Sequence, residues 1–258
     1  MLMKFLVIGD SCTDKFIYGK CNRICPEAPV PVFSPVKEVT NGGMAANVKA
    51  NVEALGVECD IITHKNTIYK TRYVDIKTNQ MLLRVDEEDK AEGNFNHKDV
   101  DWKKYDAVLI SNYGKGFLNG MSDVRKICLE HDNVFLDSNK CKIDTDLPLN
   151  LRFLKINEYE LEVNPHLKGH LEPHVGFMTN YTRPDQIIIT LGHKGCSYMG
   201  KMYKPPHRVV AQDLSGAGDT FLAALAVSVT QGTSTEGSIN FANDCASKVV
   251  AKRGVATI

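Results

Sequence analysis

One segment near the C-terminus combines a carboxylate with two glycines at the start of an apolar helix. The run DLSGAGDTF extends from Asp213 to Phe221, and the residues after it continue in a helical, apolar pattern. Glycine lets an anion approach the backbone closely, and the positive end of the helix dipole points at the same place. We therefore predict an anion hole formed by Gly216, Ala217 and Gly218, with Asp219 beside it.

Asp219 has two interpretations. A carboxylate at a helix start is commonly a capping residue. Alternatively, it is a general base that takes the proton of a hydroxyl while the anion hole stabilises a migrating phosphoryl group, a reaction in which positioning and charge stabilisation dominate. The segment is not a dinucleotide-binding fingerprint, because Phe221 stands where GxGxxG requires its third glycine, and no GxxxxGK[ST] loop occurs in the sequence.

A second glycine-rich segment precedes another helical pattern. The run NGGMAANVKAN begins at Asn41, and its two glycines would let a ligand lie against the backbone. Asn47, one turn into the helix, could donate hydrogen bonds to hydroxyl groups. A Gly-Gly turn before an alanine-rich helix is also common as plain packing, so this segment is informative mainly in combination with the first one.

The elements that must position these segments alternate between strands and helices. Continuous apolar runs predict buried strands, and helical patterns fall between them, which indicates a doubly wound α/β sandwich. The predicted strands are Lys4–Ile8, Ala107–Ser111, Val134–Asp137, Phe153–Ile156 and Gln186–Thr190. The predicted helices are Ala45–Leu55, Asp123–His131, Asp219–Thr230 and Ser238–Ala251.

Two stretches depart from this alternation. Residues 22–39 carry four prolines, which favours edge strands and excludes a helix, and residues 71–86 alternate around a possible turn at Thr78 and Asn79. We expect one domain spanning 1–258, with lid strands from about 15–38 and 70–88.

The two glycine segments together resemble the paired signatures of the ribokinase-like carbohydrate kinases. Within that family, the chain is similar to the D-glycero-β-D-manno-heptose-7-phosphate kinases along nearly its whole length. This closer similarity rests on four segments: Gly9-Asp10 with Asp14, RICPEAPVPV from Arg23, Lys70-Thr-Arg72, and QMLLRVD ending at Asp86. The run NEYE from Asn157 matches the NxxE motif of the wider family. The resemblance implies a ribokinase-like sandwich with a small β lid and transfer of the ATP γ-phosphoryl group to the C1 hydroxyl of heptose 7-phosphate.

The resemblance also implies roles for individual positions. For the sugar, it implies Asp14, Gly42, Gly43, Asn47, Arg84, Asp86 and Lys115, with Asp10 either structural or facing the sugar. For the nucleotide, it implies Asn157, Glu160, Thr190, Gly192, Gly195, Asn243 and Ser247. Glu160 would hold Mg²⁺ through water, and Asp213 would shape a K⁺ site in relatives that have one. A basic pocket from Lys115, Arg72 or Arg84 would favour a phosphorylated sugar.

Composition limits the possible partners and location. Lys plus Arg and Asp plus Glu both number 31 among 258 residues, and no long charged run occurs, so nucleic acid and membrane are not expected partners. The N-terminal apolar run is too short for a signal peptide. Eight cysteines without CxxC pairs favour reduced thiols and a cytoplasmic location.

The sequence departs from the family's pattern in one region. Only eight residues lie between Ile62 and Thr71, where relatives usually carry roughly thirty more, including a strand that contacts the sugar. We expect a homodimer joined through the lid strands and the proline-rich segment to cover part of the exposed sheet edge. No HxGH motif of a fused nucleotidyltransferase occurs. A kinase for another sugar or a nucleoside, and a non-catalytic sugar- or nucleotide-binding protein, remain alternatives.

Overall fold

Two β-sheets and five α-helices make up the part of the chain that the computed structural model describes, which is residues 3–138, 142–143, 146–167, 184–207, 209, 213–252 and 254–258. The strands are β1 (Lys4–Gly9), β2 (Ser11–Ile24), β3 (Pro31–Met44), β4 (Glu58–Ile62), β5 (Tyr69–Asp75), β6 (Met81–Glu87), β7 (Ala107–Asn112), β8 (Val134–Ser138), β9 (Leu151–Asn157), β10 (Ile187–Thr190), β11 (Cys196–Tyr198) and β12 (Lys201–Tyr203). The helices are α1 (Ala45–Ala54), α2 (Gly120–Glu130), α3 (Glu158–Val163), α4 (Ala217–Thr230) and α5 (Thr235–Val250).

The larger sheet has the strand order β12-β11-β10-β9-β8-β7-β1-β4. The six strands from β10 to β4 are parallel, and β11 and β12 add an antiparallel edge. Alternate side chains of each parallel strand enter different cores because they point to opposite faces. Phe5 and Val7 pack with α1, α4 and α5, whereas Leu6 and Ile8 pack with α2. Burial on both faces explains the uninterrupted apolar runs, and it confirms the predicted doubly wound α/β fold.

The second sheet has four strands in the order β3-β2-β5-β6. Strands β2 and β5 are parallel, and the outer pairs are antiparallel. The predicted turn lies between β5 and β6, where Asp75 accepts hydrogen bonds from the backbone N–H and the hydroxyl of Thr78. This sheet is the small accessory sheet expected from the alternating and proline-rich stretches.

The glycine pair at 42 and 43 precedes a helix, as expected, but it ends a strand and does not form a turn. Both residues belong to the last part of β3, where they pair with Thr13 and Cys12 of β2, and α1 begins directly after Met44. The missing side chains let this end of β3 lie against β2. A Cβ on Gly43 would lie 2.0 Å from Oδ2 of Asp14.

Helix starts differ slightly from the sequence prediction. Helices α2, α4 and α5 begin two or three residues before the predicted positions, because their first turns contain small and polar residues that interrupt the apolar pattern. Within the described residues, no helix is both long enough and apolar enough to cross a bilayer.

The parallel strands end at a common edge of the larger sheet. Register pairs along this edge join Gly9 to Ser111, Asn112 to Ser138, and Asn157 to Thr190. Such an edge is the usual ligand-binding side of an open α/β sheet. The start of α4 reaches the same edge, since a Cβ on Gly218 would lie 2.8 Å from Nζ of Lys155 in β9.

Candidate active site

A cleft of about 350 Å³ opens where the second sheet faces the start of α4. Its lining comes from the strands of the second sheet, from the segments that follow β6 and β7, and from the turn before α4 with the first turn of that helix. The lining residues are Cys12, Asp14, Met44, Lys70, Arg72, Arg84, Asp86, Asp89, Tyr113, Lys115, Ser215, Gly216, Asp219 and Val255. Six positions expected from the sequence therefore share one cavity: Asp14, Arg84, Asp86, Lys115, Gly216 and Asp219.

Asp219 lies in the first turn of α4 with its side chain almost wholly buried. Its Oδ2 accepts a hydrogen bond from Nδ2 of Asn47 at 2.9 Å, and its Oδ1 accepts one from the hydroxyl of Tyr113 at 3.0 Å. Burial raises the pKa of Asp219 to about 7; the charge of Asp137 acts in the same direction, and the two hydrogen bonds and Lys155 oppose it. A carboxylate with such a pKa is well matched to proton transfer near neutral pH.

The turn before α4 brings the backbone close to the cleft. Gly216 is the N-cap residue with a φ of 84°, a left-handed conformation that glycine adopts without strain, and it has no side chain to cap the helix. A Cβ at this position would lie 2.6 Å from Nδ2 of Asn47. The first amides of a helix lack intrahelical acceptors and favour anions. The predicted anion hole is therefore compatible with this geometry.

A buried ion pair lies beneath the α4 turn. Nζ of Lys155 in β9 is 2.5 Å from Oδ2 of Asp137 in β8, and both side chains are at most 5% exposed. Burial opposes the charge on Lys155, but Asp137 and Glu160 outweigh it, so the pKa of Lys155 lies above its usual value. This places a permanent cation next to Gly218.

Asp14 lines the cleft on the side of the second sheet, whereas the glycines expected at the sugar, Gly42 and Gly43, are not among the lining residues. Asp14 makes an ion pair with Arg72, whose guanidinium lies 5.0 Å from the ring centre of Phe16. Gly43 lies directly behind the Asp14 carboxylate, and Gly42 packs on Ala46 of α1. Asn47 is buried and binds Asp219 and Asn51, so its amide faces the base instead of lining the cleft.

Four cationic side chains converge on the cleft. Arg84 holds Asp86 through two hydrogen bonds of 2.7 and 2.8 Å, and Lys115 pairs with Asp89 at 2.5 Å. Arg72 pairs with Asp14. Among the ion pairs of the described residues, Lys70 takes part in none, and burial lowers its pKa.

Asp10 has a structural position. Its carboxylate is fully buried and accepts hydrogen bonds from the backbone N–H groups of Tyr113 at 2.9 Å, Lys115 at 3.1 Å and Phe117 at 3.4 Å. It therefore holds the segment after β7 in place. Of the two roles left open for Asp10, the structure favours the structural one.

Asn157 and Glu160 form a capping box at the start of α3. The side chain of Asn157 accepts from the Glu160 backbone N–H, and both carboxylate oxygens of Glu160 accept from Asn157 at 2.8 Å. Burial raises the pKa of Glu160 to about 7, the charge of Asp137 adds to this, and Lys155 opposes it. In the described residues, no three His, Cys, Asp or Glu side chains are arranged to hold a metal ion. The contact of this pair with Mg²⁺ through water stays a prediction.

The other positions expected at the nucleotide lie around β10, β11 and β12. Thr190 pairs in register with Asn157 and donates to the carbonyl of Ile156. Asn243 of α5 donates to the Tyr203 carbonyl at 3.0 Å, and Ser247 donates to the carbonyl of Asn243. Gly192 and Gly195 flank the turn between β10 and β11, where a Cβ on Gly195 would lie 2.0 Å from the Tyr203 carbonyl. Their contact with a nucleotide stays a prediction.

Asp213 lies apart from the main cleft. Its Oδ1 accepts a hydrogen bond from the Ser215 backbone N–H at 2.8 Å, and the residue lines a neighbouring cavity of about 450 Å³ with Phe16 and Leu214. Its contribution to a K⁺ site stays a prediction.

Four residues of this region did not stand out in the sequence. Lys70 belongs to one of the segments that carry the resemblance, but only its neighbour Arg72 was singled out. Tyr113 follows a predicted strand, and Asp137 and Lys155 were seen only as parts of apolar strands. For Tyr113, Asp137 and Lys155 the available signal was their position at or near the carboxyl end of a buried parallel strand, where such sheets bind ligands. Lys70, the second residue of β5, carried no such signal.

Comparison with known proteins decides the family. The model of the pfkB family carbohydrate kinases matches residues 42–258. The chain belongs to the pfkB family of carbohydrate kinases. Members of the pfkB family are phosphotransferases that act on a hydroxyl acceptor, so the resemblance seen in the two glycine segments is confirmed.

Relatives of this pfkB chain include longer proteins. The Bifunctional protein HldE of Helicobacter pylori (strain HPAG1) is 32% identical over 298 residues, covering 99% of this chain and 64% of that protein. The protein of the same name from a Nitratiruptor species is 31% identical over 299 residues, covering 100% of this chain and 63% of its own length. The chain thus spans less than two thirds of these relatives. Both alignments are longer than the chain, so the relatives carry residues that it lacks.

Solved structures show the same fold. Ribokinase from Thermotoga maritima matches with a TM-score of 0.67 and 18% identity, covering 99% of this chain and 95% of that one. Arabidopsis thaliana ribokinase complexed with ribose and ATP matches with a TM-score of 0.64 and 19% identity, covering 98% and 94%. At these identities the similarity concerns the fold, and it confirms the ribokinase-like architecture of this pfkB chain.

Proposed function

We propose that the chain uses ATP to phosphorylate D-glycero-β-D-manno-heptose 7-phosphate at its C1 hydroxyl, with Asp219 as general base. One observation carries this proposal. The buried Asp219 carboxylate lines the same cleft as the glycine turn of α4 and the four cations Lys70, Arg72, Arg84 and Lys115.

The reaction follows from this arrangement. The acceptor hydroxyl gives its proton to Asp219 as its oxygen bonds to the γ-phosphorus of ATP, and the bond from that phosphorus to ADP breaks. The transferring group is anionic and loosely bonded, so catalysis depends on positioning and on charge stabilisation. The amides at the start of α4, near Gly216 and Gly218, would supply that stabilisation. The cation of Lys155 lies just beneath them.

The metal ions belong to the same proposal. Mg²⁺ would neutralise charge on the ATP phosphates, and Glu160 would hold it through water. K⁺ would lie near Asp213. The carboxylates of both residues already accept backbone N–H groups, which leaves further lone pairs on their oxygens.

The cations of the cleft favour a phosphorylated sugar. Three of the four are matched by carboxylates, Arg72 by Asp14, Arg84 by Asp86 and Lys115 by Asp89. Lys70 remains as the cation without an ion-pair partner among the described residues, so an additional anion would be compensated there. The resemblance of four segments to the heptose-7-phosphate kinases supports the heptose phosphate over other sugar phosphates, and the whole-chain similarity to proteins named HldE is consistent with it.

Assays with different substrates distinguish this proposal from the two alternative functions. A kinase for another sugar or a nucleoside would turn over ribose, fructose 6-phosphate or adenosine faster than heptose 7-phosphate. A non-catalytic binder would bind a sugar or ATP without transfer, and Asp219 beside an intact GAGD turn argues against this alternative, because binding alone does not require a base.

The decisive experiment measures ADP release and product formation for each acceptor. Asp219→Asn should abolish turnover with heptose 7-phosphate and leave its binding, measured by calorimetry, nearly unchanged. Asp60→Asn is the matched control, since Asp60 also accepts a tyrosine hydroxyl, that of Tyr105 at 2.9 Å, and lies on the outer strand β4. Undiminished turnover in Asp219→Asn would reject the base assignment.

The proposal includes a homodimer formed through the second sheet and a cytoplasmic location. Strand β6 is a sheet edge with three consecutive exposed apolar residues, Met81, Leu82 and Leu83. The proline-rich segment adds Ile24 and Val30, which are 64% and 51% exposed. An exposed apolar edge strand favours pairing with another chain, and a second copy is the partner always present. The seven described cysteines are free thiols, in keeping with a reducing compartment.

A further inference from the structure

Both oxygens of the Asp219 carboxylate are held by hydrogen-bond donors from different elements. Asn47 of α1 donates to Oδ2, and Tyr113, which follows β7, donates to Oδ1. Two donors on opposite oxygens fix the plane of a carboxylate. Each oxygen keeps a further lone pair, so a substrate hydroxyl can still be accepted.

Tyr113 is itself held firmly. Its backbone N–H donates to the buried Asp10 carboxylate at 2.9 Å, and Nζ of Lys70 lies 5.6 Å from the centre of its ring. Burial raises the pKa of the Tyr113 phenol well above its usual value, and the charge of Asp219 adds to this effect. The hydroxyl therefore stays protonated and remains a donor over the whole range in which Asp219 titrates.

We propose that Tyr113 is a positioning residue that orients the Asp219 carboxylate toward the acceptor hydroxyl and favours its ionised form. This inference rests on the proposed function, because it assumes that Asp219 is the base. The cation over the Tyr113 ring belongs to the same cleft that would hold the sugar phosphate.

The pH dependence follows from the groups around the carboxylate. The groups that face Asp219 come from five elements: Cys12 of β2, Asn47 of α1, Tyr113 after β7, Asp137 of β8 and Lys155 of β9. Burial and Asp137 raise the pKa of Asp219, whereas Asn47, Lys155 and Tyr113 lower it. Removing the Tyr113 hydroxyl should therefore raise this pKa further and move the acidic limb of the rate profile to higher pH.

Tyr113→Phe tests the inference in the full chain. Because the Tyr113 hydroxyl donates to the ionised carboxylate, its loss should move the acidic limb of the kcat profile about one to two pH units higher, and kcat at pH 6 should fall roughly tenfold or more. The KM values for sugar and ATP should change little. A second measurement needs no substrate: carbon-13 NMR titration of labelled aspartates, with Asp219 assigned through Asp219→Asn, should show the same upward movement.

Tyr105→Phe is the matched control, because it removes the same hydroxyl from the Asp60 carboxylate, outside the cleft. Its kcat profile should coincide with that of the unmodified chain. If the NMR titration and the kcat profile of Tyr113→Phe do not move while Asp219→Asn is inactive, the inference is wrong and the proposed function stands. If Asp219→Asn keeps full turnover, both are wrong.

Discussion

Replacing Lys155 with methionine should destabilise the chain strongly, although lysine is generally a poor core residue. Lys155 and Asp137 are 3% and 4% exposed, and their charged atoms are 2.5 Å apart. The methionine fills similar volume but leaves Asp137 as an uncompensated buried charge. Breaking a buried pair in this way costs about 3–5 kcal/mol of unfolding free energy. For a chain of this size, that loss lowers the Tm by about 6–20 °C.

Urea denaturation measures this loss through the fluorescence of Trp102, the only tryptophan in the sequence. Lys194→Met provides the matched control, because the Lys194–Glu158 pair is 3.2 Å apart and more than half exposed, and exposed pairs contribute about 0–1 kcal/mol. Adding Asp137→Leu to Lys155→Met should recover most of the stability, since the unpaired charge is then gone. A loss as small as that of Lys194→Met would refute the reasoning.

Three further predictions concern the base, the sugar wall and the dimer. Folding raises the pKa of Asp219 from 3.8 to about 7, so its contribution to stability is complete below about pH 4 and is lost as the pH rises through 7. The free energy of unfolding of Asp219→Asn should therefore exceed that of the unmodified chain at pH 8, by about 4 kcal/mol, but not at pH 4. Urea denaturation measures this difference, and an equal difference at the two pH values would contradict the prediction. Gly43→Ala should push aside Asp14 and raise the sugar KM about tenfold or more, leaving the ATP KM unchanged in steady-state assays. Leu83→Lys should convert a dimer to a monomer in light scattering, and an unmodified chain that is already monomeric would rule out the proposed interface.

Much of the larger sheet was predictable because its strands are buried on both faces. The run from Lys4 to Ile8 has no polar residue after its first position, so both faces of a strand formed by it are apolar, which predicts a strand in the core. The edge strand β4 was missed because Glu58 and Asp60 interrupt its apolar pattern. These two carboxylates bind Lys4 at 2.6 and 3.0 Å, a contact that exists only once β4 lies beside β1. Strands β11 and β12 have three residues each, too few to show a period.

In the candidate site, too, residues with a local sequence signal were predictable and residues that depend on long-range contacts were not. Residues inside contiguous motifs, such as Gly216 and Asp219, were predictable because their chemistry depends on a local turn and a helix start. Tyr113 and Lys155 act through partners that are distant in the sequence, Asp219 and Asp137 respectively. The second pair is between register neighbours on β8 and β9, so it becomes visible only when the strand order is known.

The glycines of the two motifs show why residue type alone did not determine their role. The sequence explained Gly216 and Gly218 alike, as openings for a phosphate. In the structure, Gly216 has a φ of 84°, so its backbone conformation itself favours glycine. Gly218 has a helical conformation that alanine would adopt readily, yet a Cβ there would lie 2.8 Å from Nζ of Lys155. Gly43 likewise leaves room for the Asp14 carboxylate. Two of these glycines are therefore required by charged side chains packed against the backbone, and these contacts place the cation and the acid where the proposed reaction needs them.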